Sequence, residues 1–127
     1  MLELETTNQR TKMKNLNLTD GEIAILKGIL FNEYNDAFIN DDGSLHSDPV
    51  WTWSVFDCTY ASEACKSRRS MSGFIGSLVK KELVGTDPVE VRDADRCVWL
   101  TNKAKKLLAP LFEGWEKEDR ERCNRVS

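Results

Sequence analysis

The chain has 127 residues, 40% of them hydrophobic and 31% charged, with a formal net charge of −3. This is the length and composition of one globular domain, which excludes wholesale disorder, and no apolar run is long enough to span a bilayer. The acidic balance excludes indiscriminate coating of DNA but not one basic face, because fields are local at a Debye length of about 8 Å in physiological salt.

The first fifteen residues are polar and charged without period, and residues 1–15 read as a mobile N-terminal arm. Charges stand where a signal peptide needs an apolar core, so a cytoplasmic protein is expected. Thr19-Asp20-Gly21-Glu22 has the spacing of a capping box. It opens a helix with Ile23, Leu26, Ile29, Leu30 and Tyr34 on one face, expected to end near Ala37. Asn40-Asp41-Asp42-Gly43-Ser44 is turn chemistry. After Pro49, VWTWSVF alternates, with Trp51, Trp53 and Val55 on one side, as a strand does. A short helix is expected around Tyr60 to Cys65.

From Lys66 to Lys81 the sequence KSRRSMSGFIGSLVKK holds five basic residues and no acidic one. Met71, Phe74, Ile75, Leu78 and Val79 follow the apolar period of a helix packed on a core. Ser67 or Ser70 caps it. The opposite face carries Arg69, Ser72, Gly73, Gly76 and Lys80, and its small residues let a helix backbone approach a large anionic object such as a DNA groove. Leu83-Val84 and Val98 to Thr101 read as a strand pair. Val89-Glu90-Val91 and Cys97 to Leu100 read as wing strands, with Arg92-Asp93-Ala94-Asp95 as their turn. Thr101 then caps a last helix bearing Ala104, Leu107, Leu108, Leu111 and Trp115 on one face. Pro110 within it predicts a kink or break.

The stretch SMSGFIGSLVKKELV, a wing, and CVWLTNKAKKLL resemble the winged helix-turn-helix domain, most closely the small MarR-type regulators. There a helix ending in LxxKxLV is followed by a hairpin and LTxxGxxLL; Ala104 stands here where glycine is usual. The resemblance runs from Ser70 to about Phe112. It implies an α+β, mostly α fold: a winged helix-turn-helix with a two- to three-stranded β wing and an extended C-terminal helix. The domain would span residues 16–112, with an acidic insertion at about 39–66 that departs from the compact pattern. Residues 113–127 would form a charged extension.

The resemblance also implies a small transcription regulator that binds double-stranded DNA through the helix before the wing. Arg69, Ser72, Gly73 and Lys80 would lie near DNA, with Lys66, Arg68 and Ser70 at the helix start. Arginine reads guanine bidentately, while serine and lysine mostly reach phosphate. In the wing, Arg92 and Arg96 flank Asp93 and Asp95, whose carboxylates repel phosphate. Either the arginines alone make contact or this wing does not touch DNA. Related regulators pair through terminal helices, so a homodimer is expected on resemblance, and a partner copy is one way to cover Trp115.

A second reading gives the same fold to an adaptor or inhibitor of the phage-type, host-directed kind. Residues 32 to 63 hold seven carboxylates and no lysine or arginine. Asp41, Asp42 and Asp48 would then face a basic protein partner. A calcium loop is not expected: with Gly43 at the sixth position, Phe38 and Pro49 occupy the first and twelfth, where carboxylates are required. Cys58, Cys65, Cys97 and Cys123 lack CxxC spacing and read as reduced thiols. His46 is the sole histidine and reads as a surface residue. No nucleophile elbow, HExxH or phosphate loop occurs, so neither an enzyme, a metal nor a cofactor is expected. The tryptophans read as core anchors.

Overall fold

The computed structural model describes residues 17–88, 90–92 and 94–126. The expected N-terminal arm, Val89 and Asp93 lie outside the described residues. The fold is α+β, and none of its described helices is long and apolar enough to cross a membrane.

Helix α1 spans Asp20–Leu30. Its capping box is complete: the Thr19 hydroxyl accepts from the Glu22 N–H at 3.2 Å, and Glu22 Oε1 accepts from the Thr19 N–H at 2.9 Å. It stops seven residues before the expected Ala37 because two asparagines take over the backbone groups. Asn35 Nδ2 donates to the Ile29 carbonyl at 2.7 Å, and the Asn32 carboxamide oxygen accepts from the Tyr34 N–H at 3.0 Å.

Strands β1 (Phe38–Ile39) and β2 (Leu45–His46) form an antiparallel hairpin closed by the expected turn. Gly43 takes φ 87° there, a value that favours glycine. Strand β3 is only Val50–Trp51, and Thr52–Asp57 is helix α2, against the expected strand. The alternation misleads because Trp51 and Val55 do not share a buried face: Val55 is 0% and Trp51 39% exposed. Val55 packs instead against α1 at Gly28. A Cβ on Gly28 would lie 3.2 Å from Val55 Cγ1 and 2.8 Å from Cys58 Sγ, so the glycine admits the α2 corner. Helix α3 follows at Thr59–Ala64, close to its expected place.

Helix α4 spans Arg68–Lys80, and Ser67 is its cap, accepting from the Ser70 N–H at 3.2 Å. Glu82, at φ 63°, ends it in the left-handed region. Strands β4 (Val84–Thr86) and β5 (Cys97–Leu100) pair antiparallel with Val84 opposite Leu100. The second sheet has the order β3-β5-β4. The wing strand expected at Val89 to Val91 is not formed at Glu90 and Val91. Pro88 starts a turn there, with the Val91 N–H donating to the Pro88 carbonyl at 3.0 Å. The turn at Arg92 closes as expected, through the Asp95 N–H to the Arg92 carbonyl at 2.9 Å.

Helix α5 runs unbroken over Asn102–Val126. Pro110 does not break it because Pro110 and Lys106, whose carbonyl loses its partner, both lie on the solvent face. The core joins Ile25, Leu26 and Ile29 of α1, Met71, Ile75 and Leu78 of α4, Val50, Val98 and Leu100 of the sheet, and Ala104, Leu108 and Leu111 of α5. Trp115 belongs to it at 2% exposure, covered by its own chain rather than by a partner copy. Lys27 Nζ sits 5.2 Å from its ring centre and pairs with Glu118, while the Tyr60 hydroxyl donates to Asp119 at 2.7 Å. The other tryptophans depart from the core expectation: Trp53 and Trp99 are half-buried and Trp51 is exposed. No disulfide joins Cys58, Cys65 or Cys97.

Candidate nucleic-acid interface

The expected two faces of α4 are separated as the helical period requires. Met71, Ile75 and Leu78 are buried, Phe74 is half-buried, and Arg69, Ser72, Gly73, Gly76 and Lys80 are exposed. Among the described residues, nothing outside the helix lies within 4 Å of a Cβ built on Gly73 or Gly76, so the backbone there is open to a large ligand. Two residues of the apolar stripe behave differently. Val79 is 42% exposed, at the margin of the stripe. The Phe74 ring covers Gly21, where a Cβ would lie 2.2 Å from it.

The charges at the start of α4 run against helix stability. Its first turn carries Arg68 and Arg69 and no acidic residue. Cations at a helix N-terminus oppose the macrodipole, typically by about 0.3–1 kcal/mol each. Together with exposed Lys66 they concentrate positive potential at one end of the helix, where an anion is favoured.

Lys81, the fifth basic residue of the run, is removed from this face. Its ammonium donates to Glu22 Oε1 at 2.8 Å and to the Asn17 carbonyl at 2.6 Å. Glu22 is 1% exposed and also accepts from the Ser77 hydroxyl at 3.0 Å. Burial pushes the Glu22 carboxyl up. Lys81, the Thr19 N–H, Ser77 and the Thr19 hydroxyl together outweigh that and hold it below its ordinary 4.5. Glu22 therefore contributes stability that is present above that unfolded-state value and is lost as pH falls through the lower folded value. Lys81→Met, which leaves the buried carboxylate without its cation, is expected to cost about 1–3 kcal/mol at neutral pH. Acid unfolding should move to higher pH. Denaturant melts at neutral pH and an acid titration check both.

One grouping was not legible in the sequence. Arg68 lies over the Phe56 ring, 5.5 Å from its centre. Thr52, Trp53, Phe56, Arg68, Ser72 and Arg96 line a groove of about 80 Å³ between α2, α4 and the start of β5. Reading residues 52–57 as a strand hid it, since only a helix there turns Trp53 and Phe56 toward α4. The groove joins Arg68 and Ser72 to Arg96, and Arg96 also donates to the Val91 carbonyl at 2.9 Å. Arg92 is not brought to this face by any described contact. It donates twice to Asp95, at 3.0 and 3.1 Å, and braces its own turn. Lys66, Ser70 and Lys80 are exposed along α4 or just before it.

The three carboxylates expected to form an acidic docking face have separate surroundings. Asp42 accepts from the Ser44 hydroxyl at 2.6 Å and N–H at 3.0 Å, which hold its carboxyl below the ordinary value. It also lines an open groove of about 700 Å³ with Lys105 and Lys106 of α5. Asp48 Oδ1 faces His46 Nε2 at 3.0 Å. Asp41 is exposed in the turn.

No protein-family model, curated protein or solved structure matches the chain.

Proposed function

We propose that the chain is a small DNA-binding regulator built as a winged helix-turn-helix. The observation that carries this reading is the open cationic face of α4, on which Arg69, Ser72, Gly73, Gly76 and Lys80 are exposed together opposite a buried stripe. The element order supports it: α4 is followed directly by β4, the wing loop and β5, in a sheet of order β3-β5-β4. In winged-helix proteins the corresponding helix enters the major groove. Arg69 would then read base edges, Lys66 and Lys80 would meet phosphates, and the Arg68–Arg96 groove would hold the strand nearest the wing. The protein would act by occupying a duplex site.

Binding to mixed duplex DNA should weaken steeply with salt, with a log–log slope of roughly −0.9 per neutralised phosphate. Arg69→Ala should relax sequence preference, by about 1–3 kcal/mol at the base it reads. Lys80→Ala should weaken all sequences alike and reduce the salt slope by about one. Fluorescence anisotropy across a salt series reads all three. Affinity that stays flat from low to physiological salt would sink the proposal.

A further inference from the structure

The segment between α1 and α2 leaves aromatic rings at the surface. Tyr34 meets Trp51 edge-on at 5.2 Å and Trp53 at 6.1 Å, and the two indoles stack at 5.8 Å. Tyr34 is 49% and Trp51 39% exposed. Large rings with one wet edge are typical of interfaces, where they bury much area at little entropic cost. The strand bearing Trp51 is also an edge of its sheet.

The rim of this cluster is acidic. Exposed Glu33 precedes Tyr34, and exposed Asp36 follows it by two residues. Asp48 is fixed beside them: its N–H donates to Asn35 at 2.9 Å, and its Oδ2 accepts from the Asp36 N–H at 3.4 Å. Beyond Asp48, Phe38 stacks on His46 at 4.8 Å and is 43% exposed. No lysine or arginine occurs from residue 32 to residue 63. Trp53 also borders the groove that holds Arg68 and Arg96.

We propose that this face docks a cationic segment of a partner protein, with an arginine or lysine laid on the Trp51 ring and paired with Asp36 and Asp48. The ring attracts the cation through its quadrupole, and the carboxylates supply the charge. Charge complementarity selects this occupant. Duplex DNA would bring phosphates against the carboxylates. A second copy in a two-fold contact would set this acidic rim against its own equivalent. The proposal is distinct from the DNA-binding reading: Tyr34, Trp51, Asp36 and Asp48 do not line the Arg68–Arg96 groove, and Trp53 alone of the cluster borders it.

The test is a titration of the full chain with a short alternating arginine–glycine peptide and with the same peptide carrying citrulline, followed by tryptophan fluorescence and indole N–H shifts. The arginine peptide should move the Trp51 and Trp53 indoles, and the citrulline peptide should not. Trp51→Ala, and separately the pair Asp36→Asn with Asp48→Asn, should each weaken binding by about three- to tenfold. The carboxamide pair serves as the second variant because it leaves the rings in place, and thermal melts establish that both variants fold. Duplex affinity should be unchanged in both. Equal binding of the citrulline peptide, indole shifts absent on titration, or unchanged affinity in the carboxamide pair would overturn the proposal. So would concentration-dependent dimerisation abolished by Trp51→Ala, which would make a second copy the occupant.

Discussion

Trp115→Ala is expected to lower the unfolding free energy by about 3–5 kcal/mol, the range for truncating a fully buried tryptophan. The indole is 2% exposed although it lies in a stretch whose sequence alternates charge. Its loss removes apolar burial and also the ring beneath the Lys27 ammonium, 5.2 Å away. Lys27 keeps Glu118 at 3.4 Å, but that pair is exposed on its acidic side and contributes little alone. The cost therefore reports packing of α5 against α1. Urea melts of the variant check it, and a loss under about 1 kcal/mol would mean that this half of α5 is not docked.

Leu78→Ala is expected to cost about 2–5 kcal/mol. Leu78 is 0% exposed, on the stripe with Met71 and Ile75 at 3% and 7%. The alanine would leave a cavity where α4 meets α1 and the sheet, a region that can collapse only by moving the helix that carries Arg69 and Lys80. The variant should also lose duplex affinity as the helix loosens, whereas Lys80→Ala should lose affinity at constant stability. Parallel melts and anisotropy titrations separate the two. A stability loss below about 1 kcal/mol would mean that the buried face of α4 is rotated away from this stripe.

The strand expected after Pro49 failed for a physical reason. A short run of β-branched and aromatic residues is decided by what covers it. Residues 50–56 alternate as a strand would, yet only Val50 and Trp51 find a ladder partner, in β5. From Thr52 on, the gap left by Gly28 in α1 offers Val55 a buried place that only a helix reaches. The same cause hid the groove around Arg68 and exposed Trp51. Pro110 misled in the opposite sense, because an exposed position lets water take the carbonyl bond that proline removes.

What the sequence determined by itself was local chemistry with a fixed period or spacing. The Thr19–Glu22 capping box, the Asn40–Ser44 turn, the α4 stripe and the Thr101 cap all depend on neighbours within about one helical turn, so they need no tertiary partner to be specified. The cationic face of α4 was legible for the same reason, as the complement of that stripe. The tertiary structure alone decided which charges and rings remain available. It buried Glu22 and so drew Lys81 away from the basic run. It covered Trp115 and left Trp51 in water. These outcomes rest on contacts between residues far apart in the chain, such as Glu22 and Lys81, which are 59 positions apart. A one-dimensional pattern carries no record of which distant groups will meet.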